Sequence, residues 1–142
     1  MGKAVASVFV PPSEPITSQD AETVCVRLLS ARETWGNASQ IRVRVELEAN
    51  GQPLCSEVEE TGSQAVALRA AACATLAALQ QAISTEMELV GVKRIRVFDA
   101  NLVIVAVRER SSACSIRIGS APVHDSPARA AALAVMDAMP CS

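Results

Sequence analysis

Residues 41–48 read IRVRVELE, with Ile41, Val43, Val45 and Leu47 alternating strictly with Arg42, Arg44, Glu46 and Glu48. A period of two predicts a strand with one buried and one wet face. ANGQP follows, and its Asn50-Gly51 pair suits a tight hairpin turn. LCSEVEE then returns as the next strand. Thr61-Gly62-Ser63 breaks the pattern, and Ser63 stands as N-cap of an Ala-rich helix reaching about Ile83. An extended segment, ETVCVRLLSARETW, precedes the hairpin. The same order recurs downstream: MELVGVKRIRVF, strand LVIVAVRER, turn SSA, strand CSIRIGSAPV, and a helix opened by Ser126-Pro127 as N-cap and first helical residue.

The recurrence has a fixed register. RAAACATLAAL at Arg69 and RAAALAVMDAM at Arg129 lie sixty positions apart. At that offset Ala74 meets Ala134, Ala78 meets Ala138, and Leu76 and Leu79 meet Met136 and Met139. Upstream, Val43, Val45, Leu47 and Val58 meet Val103, Val105, Val107 and Ile118. A helix and two strands in one register predict an internal duplication. The expected fold is α+β: two tandem β-β-β-α repeats, about 22–84 and 85–140, forming a shared antiparallel sheet with both helices on one face. Alanine lets each helix backbone approach that sheet closely. Residues 1–21 fall outside the repeats and read as an added edge strand over Val5–Val10 followed by a Pro-rich linker through PPSEP, or as a flexible arm.

Composition narrows the possibilities. Half of the residues are apolar and 20% are charged, which excludes a disordered chain. With only Phe9, Trp35 and Phe98 as aromatics, the core must be aliphatic. The net charge is −2, and neither a basic footprint nor aromatic stacking platforms are present, which argues against nucleic acid. The order helix, three strands, helix from Ser63 to Met139 matches a double-stranded-RNA-binding domain. Such a domain needs cations at its last helix, where this chain offers Arg129 alone. Cys25, Cys55, Cys73, Cys114 and Cys141 are odd in number and include no CxxC, so free thiols in a reducing cytoplasm are expected, without a bound metal or cofactor. No apolar run approaches the roughly 20 residues of a membrane span, and KAVASVFV lacks the charge and length of a signal peptide.

The tandem β-β-β-α plan, with GNAS (Asn37-Ala38) and FDAN (Asp99-Ala100) before the hairpins and ETGSQA before the first helix, resembles the C-terminal regulatory, dimer-forming domain of 2-isopropylmalate synthase. The ending IGSAPVHDSPARAAALAVMDAM is similar to the ends of small stand-alone bacterial proteins. The chain has one histidine, so the synthase's metal-binding pair is absent and its activity is not implied. What the resemblance implies is an amino-acid-sensing or dimerising module. A small polar ligand would then meet the turns at Asn37, Ala38, Gly62, Ser63, Asp99, Ala100, Gly119 and Ser120, whose backbone N–H groups can hold a carboxylate.

Other chemistry is thinner. His124, beside Asp125, could serve a small enzyme with Cys114 or Ser126 as nucleophile, but no elbow motif accompanies either. The ordinary reading is an exposed histidine ahead of a helix cap. Lys93, Arg94 and Arg96 could form an anion patch with Arg108 and Arg110; cross-strand pairing with Glu86, Glu88 or Glu109 is the simpler account. The strongest functional signal is an asymmetry. Where the first repeat carries Arg42, Arg44 and Glu46 opposite its core set, the second carries Leu102, Ile104 and Ala106. Three apolar residues on an open sheet face predict a partner, expected to be a second subunit, or the N-terminal arm folded over them. The chain as a whole therefore reads as a non-catalytic, homodimeric binding or assembly module.

Overall fold

A computed structural model of the chain describes residues 25–111 and 115–139. The Val5–Val10 strand, the Pro-rich linker, Cys114 and Cys141 lie outside the described residues. The elements are β1 (Val26–Trp35), a 3-10 turn (Asn37–Ser39), β2 (Gln40–Ala49), β3 (Gln52–Thr61), α1 (Gln64–Gln80), β4 (Met87–Val97), β5 (Ala100–Glu109), β6 (Ile116–Pro122) and α2 (Pro127–Ala138). The fold is α+β and the β-β-β-α unit occurs twice.

The strands do not merge into one sheet. They form two antiparallel three-stranded sheets, β1-β2-β3 and β4-β5-β6. The helices join the two. α1 packs on β2 and β3 of its own repeat and also on β4; α2 packs on β5 and β6 and also on β1; the helices pack on each other. This double embrace explains the alanines. In α1, Ala67, Ala70, Ala71, Ala72, Ala74 and Ala78 are all buried, and the exposed positions are Gln64 and Ala65 in the first turn and a narrow stripe at Arg69 and Ala77. A helix apolar nearly all round is one enclosed on most sides. The inward sets of both central strands, Val43, Val45, Leu47 and Val103, Val105, Val107, are fully enclosed with the helices in one core.

The repeat is close in detail. Each first strand carries a bulge, at Leu29 and at Val90, where pairing with the central strand shifts register. Both bulge residues are exposed to the same extent, 43%. The third strands depart from the sixty-residue offset. Val43 faces Val58, but Val103 faces Ala121 rather than Ile118. β6 has slid by three residues relative to the helix-based alignment, because the β5–β6 hairpin has a longer connection than the two-residue Asn50-Gly51 turn. The connection into α2 is shorter to match: Val58 to Arg69 spans 11 residues, Ala121 to Arg129 only 8.

The slide sets Gly119 opposite Val105 on the inner face. A Cβ there would lie 2.1 Å from the carbonyl oxygen of Ala134 and 2.6 Å from the amide of Ala138. β6 therefore rests on the α2 backbone itself, and Asp137 Oδ2 accepts from the Ser120 amide at 3.1 Å beside that contact. At the helix starts, Ser126 caps α2 as expected, its hydroxyl accepting from the Arg129 amide, with Pro127 next. Ser63 occupies the N-cap of α1 without a side-chain cap bond; its carbonyl accepts from the Ala67 amide instead. α1 ends at Gln80, three residues short of Ile83, where Gln81, Ala82 and Ile83 turn back through bonds to Ala78 and Leu79.

Candidate functional site

The outer faces of the two sheets differ in kind. On the first, Arg42 lies opposite Glu59 and Arg44 opposite Glu57, with Glu46 and Glu48 further along β2. Arg42 bonds Glu59, Arg44 bonds Glu46, and Arg27 bonds Glu48 at 2.7 Å. Hydrogen bonding to these carboxylates raises the already high pKa values of Arg42 and Arg44. This is a wet, self-paired surface.

On the second sheet the equivalent face is mostly apolar, with Lys93 and Ser120 on either side of Ile104. Leu102, Ile104 and Ala106 of β5 are flanked by Ile95, Lys93 and Gly91 of β4 and by Pro122, Ser120 and Ile118 of β6. The three predicted interface residues are half-buried by these neighbours. Ile116 and Ile118, which the sixty-residue alignment hid, are 51% and 61% exposed. Their signal lay in the alternation of SIRIGS, which puts both isoleucines on the face away from the helices. The strip ends at Arg108, whose Nε donates to Glu88 at 2.7 Å; that bond holds the Glu88 carboxyl below its ordinary pKa. Arg108 thus pairs across strands as the simpler account of the arginines predicts.

The predicted ligand turns divide between the repeats. In the first, the Gly62 amide donates to the Ser39 carbonyl at 3.0 Å, which brings the Asn37-Ala38 turn against the Gly62-Ser63 junction. Beside them lies a polar cleft of about 420 Å³ between Thr34, Gly36, Gln40, Arg42, Glu59 and Thr61. In the second, Asp99 and Ala100 lie at the β4–β5 tip, while Gly119 pairs with Val105, five residues along β5 from Ala100. Gly119 serves the α2 contact. The two turns are not brought together, and Val123, whose amide donates to the Asn101 carbonyl, occupies the place nearest the tip.

The β4–β5 tip has features that the sequence pattern did not signal. Phe98 and Asp99 form the two-residue turn between paired Val97 and Ala100, with φ of 51° and 66°. Both adopt the left-handed conformation, which is unusual for a bulky residue. Phe98 is 97% exposed. A second cavity, of about 310 Å³, opens beside β4 between Ala65, Leu68, Val92 and Pro127, with Lys93 and Arg94 lining it as well.

His124 and Asp125 are exposed in the link between β6 and α2, and the Ser126 hydroxyl is engaged in capping. Cys25 and Cys55 are exposed free thiols. Cys73 is half-buried on α1, and burial raises its thiol pKa. Among the described residues no group of three or more His, Cys, Asp or Glu is placed to hold a metal, and no helix is long and apolar enough to cross a membrane. No protein-family model matches the chain, and no curated protein matches it.

Proposed function

We propose that this chain is a non-catalytic assembly module whose second repeat associates with a second copy of itself. One observation carries the reading: the outer face of the second sheet presents Ile95, Leu102, Ile104, Ala106, Ile116 and Ile118 where the first sheet presents paired charges. Three strands about 4.8 Å apart and seven residues at about 3.3 Å each give a flat face of roughly 14 by 23 Å. That is the size of the largest apolar patch on an ordinary monomer, which is often a functional surface. The test is sedimentation velocity on the wild type and on Ile104→Glu, with circular dichroism as the fold control. The wild type is expected to be a dimer. The variant, which would place a carboxylate in the middle of the contact and cost its desolvation, is expected to be a folded monomer. A monomeric wild type overturns the reading.

A second reading, metabolite sensing, takes its support from the cleft beside the Asn37-Ala38 and Gly62-Ser63 turns, where Arg42 could meet a carboxylate and Glu59 an ammonium group. Titration calorimetry with branched-chain amino acids tests it; flat traces at millimolar ligand would leave assembly alone.

A further inference from the structure

The outer face of the second sheet carries a glycine that its own chain does not need. Among the described residues two glycines lie within strands, Gly91 of β4 and Gly119 of β6. Gly119 is fixed by the α2 backbone. Gly91 has no such neighbour: a Cβ there would meet nothing within 4 Å, and its φ lies outside the left-handed region. Its place beside the Val90 bulge does not require glycine either. The first repeat makes the same bulge at Leu29, and the residue that follows is Ser30, whose hydroxyl donates to Glu46 at 3.2 Å. The duplication thus supplies its own control. Glycine weakens a strand interior and, where no bulge or bend asks for it, marks the close approach of another backbone.

The rest of that row changes with it. Across the three strands the first repeat reads Ser30, Glu46, Cys55, and the second reads Gly91, Ala106, Ile118. A polar row has become a gradient of size: no side chain on β4, a methyl on β5, and on β6 an isoleucine that is 61% exposed. A notch and a knob therefore stand on opposite sides of β5, each about 4.8 Å from it. The face is also small. A standard interface buries about 800 Å² per partner, and a flat face of roughly 14 by 23 Å supplies less than half of that. Association through it depends on fit and close approach.

Resting on the self-association proposed above, we infer that the two copies pack face to face about a twofold axis running along β5, with Ile118 of each seated in the Gly91 notch of the other. That axis exchanges the two sides of β5. β6 of one copy then lies over β4 of the other, and both contacts form at once, as a self-complementary interface requires. Ala106 meets Ala106 on the axis, which lets the sheets approach closely. Lys93 lies over the Ser120 hydroxyl of the other copy, and the two lysines stay apart on opposite sides of the axis. An axis across the strands at the same row would set glycine over glycine and isoleucine over isoleucine, a void beside a clash. The stacked strands run within about 30° of each other, the angle that sheet twist favours.

The experiment measures dimer dissociation constants of the full chain by sedimentation equilibrium for Gly91→Val, Ile118→Ala and the two together. Valine suits a strand and meets nothing in the free chain, so Gly91→Val is expected to hold or raise the melting temperature of the diluted, monomeric protein. It also enlarges the apolar face, so a contact made by apolar area alone would tighten. The interlocked contact should instead weaken about tenfold or more, as overpacking a filled site does. Ile118→Ala removes the knob and should weaken it as well. The double variant, with valine now facing alanine, should return to within about threefold of wild type. Gly91→Ser, the residue that the first repeat carries at this position, guards against a folding defect and should weaken association in the same direction. A second arm fixes the axis. A chain carrying Gly91→Cys, mixed with one carrying Ile118→Cys, joined by a short thiol-to-thiol cross-linker and mapped by peptide mass spectrometry, should give links from 91 to 118. Links from 91 to 91 in their place would overturn the axis. Undiminished association in Gly91→Val and Gly91→Ser, with Ile104→Glu monomeric, would overturn the interlock and leave the outer-face dimer standing. Failure of the double variant to recover would overturn the pairing of Gly91 with Ile118. A wild type that is monomeric throughout would overturn both readings.

Discussion

Gly119 shows how much one missing atom decides. Its neighbours across the contact are backbone atoms of Ala134 and Ala138, which cannot turn aside as a flexible side chain could. Gly119→Ala must push β6 off α2, and overpacking of this kind costs about 1–3 kcal/mol. Chemical denaturation should show a lowered midpoint with an unchanged slope. Cys73 belongs to the same scale. Burial holds its thiol protonated beyond the ordinary range, and the thiolate is the reactive form. Mapping of alkylated peptides at neutral pH should find Cys25 and Cys55 labelled well before Cys73. Glu88 works in the opposite sense. Its folded pKa lies below the unfolded one, so its contribution is present above the ordinary carboxylate range and is lost as pH falls through the folded value. Glu88→Gln should therefore flatten the acid limb of a stability profile, read as urea midpoints between neutral and acid pH.

At the scale of elements, the sequence was legible wherever burial imposes a short period. IRVRVELE and LVIVAVRER alternate because each central strand has one face on the helices, and both form strands within a residue or two of their expected ends. The Asn50-Gly51 turn and the Ser126-Pro127 start were legible because their backbone conformations favour few residue types. The three-residue slide of β6 was not. The sixty-residue match is dominated by alanines in the helices, while β6 takes its register from pairing across a hairpin of different length. The division into two sheets was hidden for a related reason. Alanine on every side of α1 says that the helix is enclosed, and does not say by how many layers. That enclosure makes a test. Ala72, fully buried, has no room for growth, so Ala72→Leu should cost about 1–3 kcal/mol. Ala77→Leu, on the wet stripe, should stay within about 0.5 kcal/mol. Thermal melts of the two variants compare them directly.

Across the whole molecule, the candidate site follows from the failure of the repeats to be identical. The half-turn of sequence that placed charges on the first outer face and isoleucines on the second was visible from Arg42, Arg44 and Glu46 against Leu102, Ile104 and Ala106. The contribution of Ile116 and Ile118 was not, because it depends on strand pairing. The repeats are also not separable. α1 needs β4 and α2 needs β1 for cover, so residues 25–84 alone would leave α1 uncovered where β4 packs. That half-chain should be collapsed or self-associated, with poor dispersion in amide NMR spectra, rather than a folded monomer.

The same exchange of cover has a consequence in time. β1 ends at Trp35, and the helix that packs on it begins only at Pro127. At synthesis rates of about 5–20 residues per second, the ribosome takes roughly 5–18 s to travel between the two. For most of that interval α1 can already cover β2 and β3, while the inner side of β1 still lacks its main covering helix. The apolar residues of β1 must be shielded by chaperones or by transient contacts until α2 has been made.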